Sequence, residues 1–510
     1  MNLRSIRGCF LGLLALLIGA LPASATWSIV LVNKDTREII FCGATCLQNF
    51  DFQQAVPVVL VGHGAAAAQS LVDNTGANKQ LIIEGFQSGK NPFGILQSLK
   101  DFDAQHQQRQ YGIVDAYNIP RKFTGNGAGQ AKKAIAGEFT DGFGRWAYSV
   151  QGNVLTGQLV IEEAVNTLLT HPGDGSQKVM AAMETARALG GDGRCSCKIF
   201  DPTGCGVPPE DGFEKTAHIG TLIIARVGDT DGACGPQGCA QGDYFLTFNV
   251  IGANPDPDPV FTLQSMYDEW RLTRVGKVDH VASKTGVYVD ALPADGASCT
   301  DCIVELRDID GGPIASQDVA LTATAANGLV DVDLIQDLGG GKFLVRLSAG
   351  LTAGDEVVTL VADEGNGEKP VTLSPQIELR IDAAAPLHVG VDSLSAELGG
   401  SAPFTLTGEP GAPYLLLASR SGTEPGTVLP FGVLPLVPDG VLDFTLLAAG
   451  GPSLPDSIGV LDASGRALPR FEAAPGDLLE LVGSRLDWAA IVAGAGSVEL
   501  PGPVGFDVLP

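Results

Sequence analysis

The sequence predicts a layered α+β domain followed by two all-β sandwich domains. In the first half, apolar strand patterns stand at both ends and two pairs of amphipathic helices lie between them. From about residue 287 onward, short alternating segments are separated by Gly, Asp and Asn turns without helical patterns. A chain of 510 residues accommodates these domains, since a domain usually takes about 100–200 residues.

We expect four segments along the chain. Residues 1–25 are predicted to be a signal peptide and residues 26–280 the layered α+β domain. Residues 286–382 and 383–510 are predicted to be the two β-sandwiches, because evenly spaced short strands are typical of that architecture.

The first 25 residues have the three parts of a secretory signal. Two arginines precede an apolar run over 10–21, and an Ala-Ser-Ala cleavage site ends at Ala25. The apolar run is too short to span a bilayer, and no later run reaches about 18 apolar residues. We therefore expect a bacterial protein without a transmembrane helix that is secreted, periplasmic or on the cell surface.

Cleavage after Ala25 would make Thr26 the first residue of the mature protein. The α-amine of a terminal threonine has a pKa of roughly 7.7–8.0 and can accept the proton of its own hydroxyl. Thr26 is thus a candidate nucleophile. The competing interpretation is that Thr is common in strands and every exported protein must begin at some residue.

The chain is strongly acidic, with a formal net charge of −26. Loss of the two arginines of the signal leaves 30 basic and 58 acidic residues, a net charge of −28. Such a surface repels nucleic acid and anionic membranes and favours solubility. Nucleic acid is therefore excluded as a partner.

Ten cysteines are present, and nine remain after loss of Cys9. In an oxidising compartment their short-range clusters predict local disulfides. We expect one bond within Cys195, Cys197 and Cys205, and an odd thiol is left over. The alternative for that cluster is a zinc site with a neighbour such as His218. The other expected pairs are Cys42–Cys46, Cys234–Cys239 and Cys299–Cys302.

The first half opens with a predicted hairpin in which Thr26–Asn33 and Glu38–Cys42 flank the polar pair Lys34-Asp35. Pro92 is suited to the first turn of a helix, and Gly190-Gly191 to a helix end. Further strands are predicted at 56–62, 65–69, 110–115, 121–124, 146–153, 217–226 and 244–250, and helices at 80–86, 93–102, 158–169, 177–189 and 259–274.

The second half contains no cluster of nucleophile and base, so its two sandwiches are expected to be spacer or adhesion modules. Turns rich in glycine, at 339–341 and 365–367, separate the strands. Predicted strands lie at 287–291, 303–306, 319–325, 329–334, 343–347, 356–362, 404–407, 413–418, 441–447, 457–461 and 478–481.

Five motifs follow one another in the first half: Thr26-Trp27-Ser28-Ile29-Val30, Tyr111-Gly112-Ile113-Val114-Asp115, Phe123-Thr124-Gly125, Tyr148-Ser149-Val150-Gln151-Gly152-Asn153 and Gly190-Gly191-Asp192-Gly193-Arg194. In this order they resemble the DUF1028 family, over roughly Thr26 to Arg274. That resemblance implies an Ntn-hydrolase-like fold, which is a four-layer αββα sandwich, and hydrolysis of an amide. It implies no particular substrate. A cysteine-bearing insertion at 195–212 departs from the family pattern, and the second half loosely resembles bacterial Ig-like modules.

The catalytic hypothesis assigns four residues. Thr26 Oγ attacks an amide carbonyl while its α-amine accepts the proton. The side chain of Asn153 or a backbone N–H near Gly152 would stabilise the oxyanion. Asp115 would hold the α-amine or position a water. The structural alternatives are that Gly152-Asn153 is a turn dipeptide and that Asp115 is a turn former.

Four further residues are expected to bind the substrate or support the nucleophile. If the predicted strand Thr26–Asn33 alternates, Ser28 points the same way as Thr26 and contacts the amine. Gln151 belongs to the candidate oxyanion turn. Thr124 and Gln69 are further candidates, for which a turn and burial between strands are the structural alternatives.

The expected partner is a small-molecule or peptide amide, without cofactor, metal or nucleic acid; the oligomeric state is not predicted. The competing function is a non-enzymatic secreted or surface-associated binding protein. In that case the αββα domain would be a scaffold and the sandwiches would mediate adhesion.

Overall fold

A computed structural model describes residues 26–49, 51–252, 257–296, 298–315, 318–382 and 386–510. The predicted signal peptide and the boundary expected at residue 383 lie outside these ranges. The fold is mixed α+β with a large β-rich C-terminal region. No helix of the described ranges is long and apolar enough to cross a bilayer.

The first half contains ten strands and seven helices within the described ranges. The strands are β1 (Thr26–Asn33), β2 (Ile39–Thr45), β3 (Pro57–Leu60), β4 (Gly64–Ser70), β5 (Arg109–Asp115), β6 (Arg121–Thr124), β7 (Lys133–Asp141), β8 (Gly144–Asn153), β9 (Ile219–Ala225) and β10 (Leu246–Val250). The helices are α1 (Phe52–Ala55), α2 (Ala77–Gln87), α3 (Pro92–Phe102), α4 (Leu159–Thr170), α5 (Gly175–Ala188), α6 (Gly193–Ser196) and α7 (Pro259–Thr273).

Strand β1 lies at the centre of a six-stranded antiparallel sheet with the order β10-β9-β2-β1-β8-β7. Every residue of β1 is buried, as expected for a strand covered on both faces. A second antiparallel sheet has the order β3-β4-β5-β6. The predicted hairpin of β1 and β2 is confirmed by the pairing of Val32 with Ile39.

Three apolar clusters fill the spaces between the two sheets and between each sheet and its helices. Trp27, Ile29 and Leu31 pack with residues of α4, α5 and α7 on one face of the six-stranded sheet. Val30 and Val32, on the opposite face of β1, pack with residues of the second sheet. A third cluster joins the outer face of the second sheet to α2 and α3. The alternation of β1 therefore decides which of its side chains face the space between the sheets.

Local sequence signals explain the helix starts. Asn91 precedes the Pro at the first turn of α3, and its side chain accepts a hydrogen bond from Gly94 N at 2.9 Å. Asp174 forms a capping box with Gln177 at the start of α5. Both helix predictions are confirmed.

The second half has two pairs of facing sheets, each enclosing its own apolar cluster. The first pair consists of β11 (Lys284–Val287), β12 (Ala291–Pro293), β13 (Cys299–Glu305), β14 (Ala320–Ala325), β15 (Val330–Gly339), β16 (Lys342–Ala349), β17 (Gly354–Asp363), β18 (Val371–Thr372) and β19 (Ile377–Asp382). The remaining elements are β20 (Leu387–Val389), β21 (Ser393–Ser395), β22 (Gly400–Thr407), β23 (Pro413–Ser419), β24 (Thr427–Leu429), β25 (Gly432–Leu434), α8 (Gly440–Leu447), β26 (Ile458–Val460), β27 (Arg466–Ala467), β28 (Arg470–Ala473), β29 (Arg485–Ala493), β30 (Val498–Glu499) and β31 (Val504–Leu509).

Two segments predicted as strands are helical in the structure, a third predicted strand is interrupted, and one strand was missed. The interrupted strand is 287–291, where β11 ends at Val287 and β12 begins at Ala291. The segment 441–447 is helical because Asp439 accepts hydrogen bonds from Val441 N and Leu442 N and so caps α8. The predicted strand at 478–481 contains a 3₁₀ turn, Leu479–Leu481. Strand β7 was missed because most of its residues are only partly buried, so it lacks a strong apolar pattern.

The disulfides are Cys46–Cys195, Cys197–Cys205 and Cys234–Cys239. The last pair and a bond within the 195–205 cluster were predicted. The expected Cys42–Cys46 bond is wrong: Cys42 is buried within β2, and four strand residues span about 13 Å. The expected Cys299–Cys302 bond is also wrong, since an odd separation along β13 places the two side chains on opposite faces.

A buried ion cluster lies where the first half meets the first sandwich. Arg226 donates to Glu38 Oε1 at 2.7 Å and to Asp279 Oδ2 at 2.8 Å. Next to this cluster, Ser374 Oγ donates to Thr36 O at 2.8 Å. Burial raises the pKa of Glu38 to about 7, although the positive charge of Arg226 opposes the change.

This pKa gives the protein a defined pH dependence. Between pH 4.5 and about 7 the folded state keeps a proton on Glu38 that the unfolded state has released. The stabilising contribution of Glu38 is therefore complete at low pH and is lost as the pH rises through 7. We expect the unfolding free energy of the wild type to fall more steeply than that of Glu38→Gln, by up to about 1.4 kcal/mol per pH unit. Urea unfolding between pH 5 and 8 measures this difference, and parallel slopes would contradict it.

Candidate functional site

Thr26 is the first residue of β1 and is 2% exposed. It pairs with Asn153 of β8, and alternation along β1 places its side chain on the same face as Val30 and Val32. That face is directed toward the second sheet. The hydroxyl of Thr26 therefore lies at one end of the space between the two sheets.

Polar side chains replace the apolar cluster at this end. Ser28 Oγ donates to Gln69 Oε1 at 2.6 Å, and Gln69 Nε2 donates to the backbone oxygen of Thr26 at 3.3 Å. Both side chains are buried. The structure thus brings Ser28 and Gln69, two of the predicted residues, next to Thr26.

Gln110 connects this group to the neighbouring strands. Its Oε1 accepts from Gln69 Nε2 at 2.9 Å and from Asn153 Nδ2 at 3.1 Å. Its Nε2 donates to Thr124 Oγ1 at 3.1 Å and lies 3.0 Å from Gly152 O. The sequence analysis did not select Gln110. The signal that would have found it is a polar side chain on the same face of β5 as Val114, which packs between the two sheets.

Gln151 closes the network on the side of β8. Its Nε2 donates to Ser28 Oγ at 2.7 Å, and its Oε1 accepts from Ser149 Oγ at 2.6 Å. Ser149 and Gln151 are both fully buried and lie on one face of β8. A buried amide of this kind is held in one orientation, because turning it would leave its polar atoms unpaired.

Asn153 and Gly152 differ in their suitability as oxyanion donors. Asn153 lies beside Thr26 and is fully buried; its Nδ2 donates one N–H to Gln110 Oε1 at 3.1 Å, and the second N–H of this amide is the candidate oxyanion donor. Gly152 pairs with Trp27 on one side and Lys133 on the other. Its amide is therefore directed within the sheet toward a neighbouring strand, which does not fit the expected role of Gly152.

Asp115 does not reach Thr26. It pairs with Gly64 at the opposite end of β5 from Gln110, and five strand residues correspond to about 16 Å. Its carboxylate accepts from Tyr117 N at 2.9 Å and from Asn118 N at 2.5 Å. Asp115 is thus a turn former, and its expected role at the α-amine is not supported.

The sequence analysis missed a second group of residues near Thr26, at the end of β2 and in the loop before α6. Thr45, at the end of β2, follows the residue that pairs with Trp27 and so lies next to Thr26. Arg194 Nη2 lies 3.5 Å from Thr45 Oγ1 and 2.8 Å from Asp192 Oδ2. Asp192 is fully buried and also accepts from Cys46 N at 2.8 Å. These contacts fix the loop before α6 against the end of β2.

The disulfide Cys46–Cys195 joins the residue after β2 to α6. Its two sulfurs and a ring nitrogen of His218 lie within 4.8 Å of one another. The zinc alternative with Cys197 and Cys205 is not supported, because those two cysteines pair with each other. The cluster in the structure instead contains Cys46, which comes from a distant part of the sequence.

Comparison with known proteins finds a family for part of the first half. Residues 26–198 match the model of DUF1028, a family of unknown function. The resemblance seen in the sequence motifs is thereby confirmed for this segment. The match ends before Arg274, so the resemblance of the remaining stretch stays a prediction. No curated protein matches the chain.

Solved structures with detectable similarity include a DUF1028 protein from Silicibacter pomeroyi, 14% identical, with a TM-score of 0.35 over 48% of this chain and 86% of that chain. The adhesin InvE of Yersinia pseudotuberculosis is 17% identical, with a TM-score of 0.19 over 45% of this chain and 60% of that chain. The Escherichia coli adhesin FdeC is 12% identical, with a TM-score of 0.19 over 95% of this chain and 97% of that chain.

A substitution at Gly112 tests how tightly the polar network around Gln151 is packed. A Cβ at this position would overlap Gln151 Oε1 and Ser149 Oγ. We expect Gly112→Ala to lower the unfolding free energy by about 1–3 kcal/mol, the usual cost of overpacking a core. Urea unfolding followed by tryptophan fluorescence measures the change.

The matched control is Gly286→Ala in strand β11, where the added Cβ would meet no described atom within 4 Å. The control should unfold at the same urea concentration as the wild type. Equal destabilisation by both substitutions would show that the effect does not come from the network.

Proposed function

We propose that this protein is an exported N-terminal-nucleophile hydrolase that cleaves an amide bond. Cleavage of the signal peptide after Ala25 would expose Thr26, whose hydroxyl is the nucleophile and whose α-amine is the base. The observation that carries the proposal is the position of Thr26. It begins the central strand of a sheet and is directed toward a buried polar network.

The layering of the first half supports the proposal. Helices α4, α5 and α7 pack on one sheet, the two sheets pack on each other, and α2 and α3 pack on the second sheet. This order corresponds to the αββα arrangement expected of an Ntn hydrolase. The match of residues 26–198 to DUF1028, a family of unknown function, supports the family resemblance from which we expected this fold.

The proposed reaction uses a small set of groups. Thr26 Oγ attacks the carbonyl carbon of the amide, and the α-amine accepts the hydroxyl proton and later transfers it to the leaving amine. Asn153 Nδ2 stabilises the oxyanion, an interaction worth about 3 kcal/mol in comparable sites. Ser28, Gln69 and Gln151 hold the start of β1 in place. The C–N bond of the amide then breaks, the protonated amine leaves, and the acyl group remains as an ester on Thr26 Oγ. Water attacks this ester while the α-amine accepts a proton from it, and the ester C–O bond breaks to release the carboxylic acid and restore the Thr26 hydroxyl.

Residues farther from Thr26 complete the assignment. Thr124 positions Gln110 through their hydrogen bond at 3.1 Å.

The three disulfides support an extracellular or surface location, because such bonds persist in oxidising compartments. The substrate is a small-molecule or peptide amide.

The maturation step is tested on the secreted protein. N-terminal sequencing or intact-mass measurement should place the mature terminus at Thr26. A different terminus would remove the base from the mechanism, because only a free α-amine on Thr26 can accept the proton of the hydroxyl.

The chemistry is tested with a panel of amides and esters. Thr26→Ala should reduce kcat/KM by at least about 10³-fold, since it removes the nucleophile, whereas Thr26→Ser should keep measurable activity. Thr140→Ala, on the exposed part of β7, is the control and should match the wild type. Equal activity of Thr26→Ala and the wild type would favour the non-enzymatic binding function.

A further inference from the structure

We propose that Cys46, Cys195 and His218 form a zinc site when the Cys46–Cys195 disulfide is reduced. The same loops would then be joined either by the disulfide or by the metal. This inference does not depend on the proposed hydrolase activity, because it concerns only the three side chains and the metal.

The three ligands come from separate parts of the fold. Cys46 follows β2 and Cys195 lies in α6, 149 residues farther along the chain. His218 immediately precedes β9, and its backbone N–H donates to Thr45 O at 2.9 Å. The backbone of each ligand is thus held by a sheet or a helix. One ligand atom from each residue lies within 4.8 Å of the others, so small side-chain movements suffice to surround one ion.

The ligand chemistry favours zinc. Two thiolates and one imidazole are soft or intermediate donors, which zinc prefers over the oxygen ligands that calcium and magnesium require. Three protein ligands leave the fourth position of a tetrahedral zinc for water. All three residues are partly buried, so solvent can reach that position.

The conversion requires a reductant, for which we name a dithiol. The dithiol transfers two electrons and two protons to the Cys46–Cys195 bond, which breaks to give two thiols, while the dithiol becomes a cyclic disulfide. Each thiol then releases its proton as its sulfur binds Zn²⁺. A small-molecule disulfide reverses the change: it accepts two electrons and becomes two thiolates, while the Cys46–Cys195 bond forms again and Zn²⁺ is released.

The surroundings remain in place during this exchange. Asp192 Oδ2 accepts from Cys46 N at 2.8 Å and from Arg194 Nη2 at 2.8 Å. These bonds involve neither sulfur, so they hold the end of β2 against the loop before α6 in both states. The metal would therefore bind to an arrangement that is already formed.

The experiment uses the full mature chain with Cys197, Cys205, Cys234 and Cys239 replaced by Ser, which leaves Cys46–Cys195 as the only bond among the described disulfides. The protein is reduced with a dithiol, which is removed anaerobically, and is titrated with Co²⁺ and then Zn²⁺. We expect one Co²⁺ per chain with a thiolate-to-cobalt charge-transfer band, and Zn²⁺ should displace it. The oxidised protein should show no band.

Two variants in this background decide whether the site is the one proposed. Cys46→Ser should lose the band, and His218→Ala should weaken binding on the order of 100-fold, at least as much as the loss of an outer-shell partner. His388→Ala in β20 is the control and should bind as the parent does. A missing band, or a band unchanged in His218→Ala, would overturn the proposal.

Circular dichroism checks that each protein is folded. If the four-serine background does not fold, the reduced wild-type chain is titrated beside its own His218→Ala and His388→Ala variants. Weaker binding in the first variant alone supports the site, and equal binding in both overturns it.

Discussion

The first half of the protein depends on the hydrogen bonds of buried side-chain amides between its two sheets. Gln69, Gln110 and Gln151 are each at most 1% exposed and bond to one another, to Ser28 or to backbone oxygens. A buried amide left without a partner lowers the unfolding free energy by about 1–3 kcal/mol. The loss of one of these bonds therefore also destabilises the groups that it leaves unpaired. The network therefore fixes the spacing and register of the sheets where Thr26 lies, while apolar packing does so elsewhere.

Such a network also gives the start of β1 a rigid setting. Thr26 is bonded through its carbonyl oxygen to Gln69 and lies opposite Asn153. A nucleophile gains most from groups that are already oriented before the substrate arrives, because no free energy is then spent on ordering them. The polar end of the inter-sheet space is therefore better suited to chemistry than its apolar remainder.

Much of this arrangement could be predicted from short-range signals. Alternation and turns located β1, β2 and β8, and Asn91-Pro92 located a helix start. Long-range pairing could not be predicted in the same way. Cys46 bonds to Cys195 and Gln110 bonds to Asn153 because the tertiary fold brings distant strands together. For the same reason, Asp115 looked suitable in the sequence although it lies at the wrong end of its strand.

The turn between β1 and β2 is bonded to one residue of the first sandwich and to one residue just before it. Ser374 Oγ donates to Thr36 O at 2.8 Å, and a ring nitrogen of His280 lies 3.2 Å from the same oxygen. The same two parts are also joined by the chain between α7 and β11 and by ion pairs such as Arg274–Glu368 at 2.9 Å. Any rotation of the sandwich against the first half would therefore strain the hairpin whose first strand begins with Thr26, because these bonds tie its turn to the sandwich.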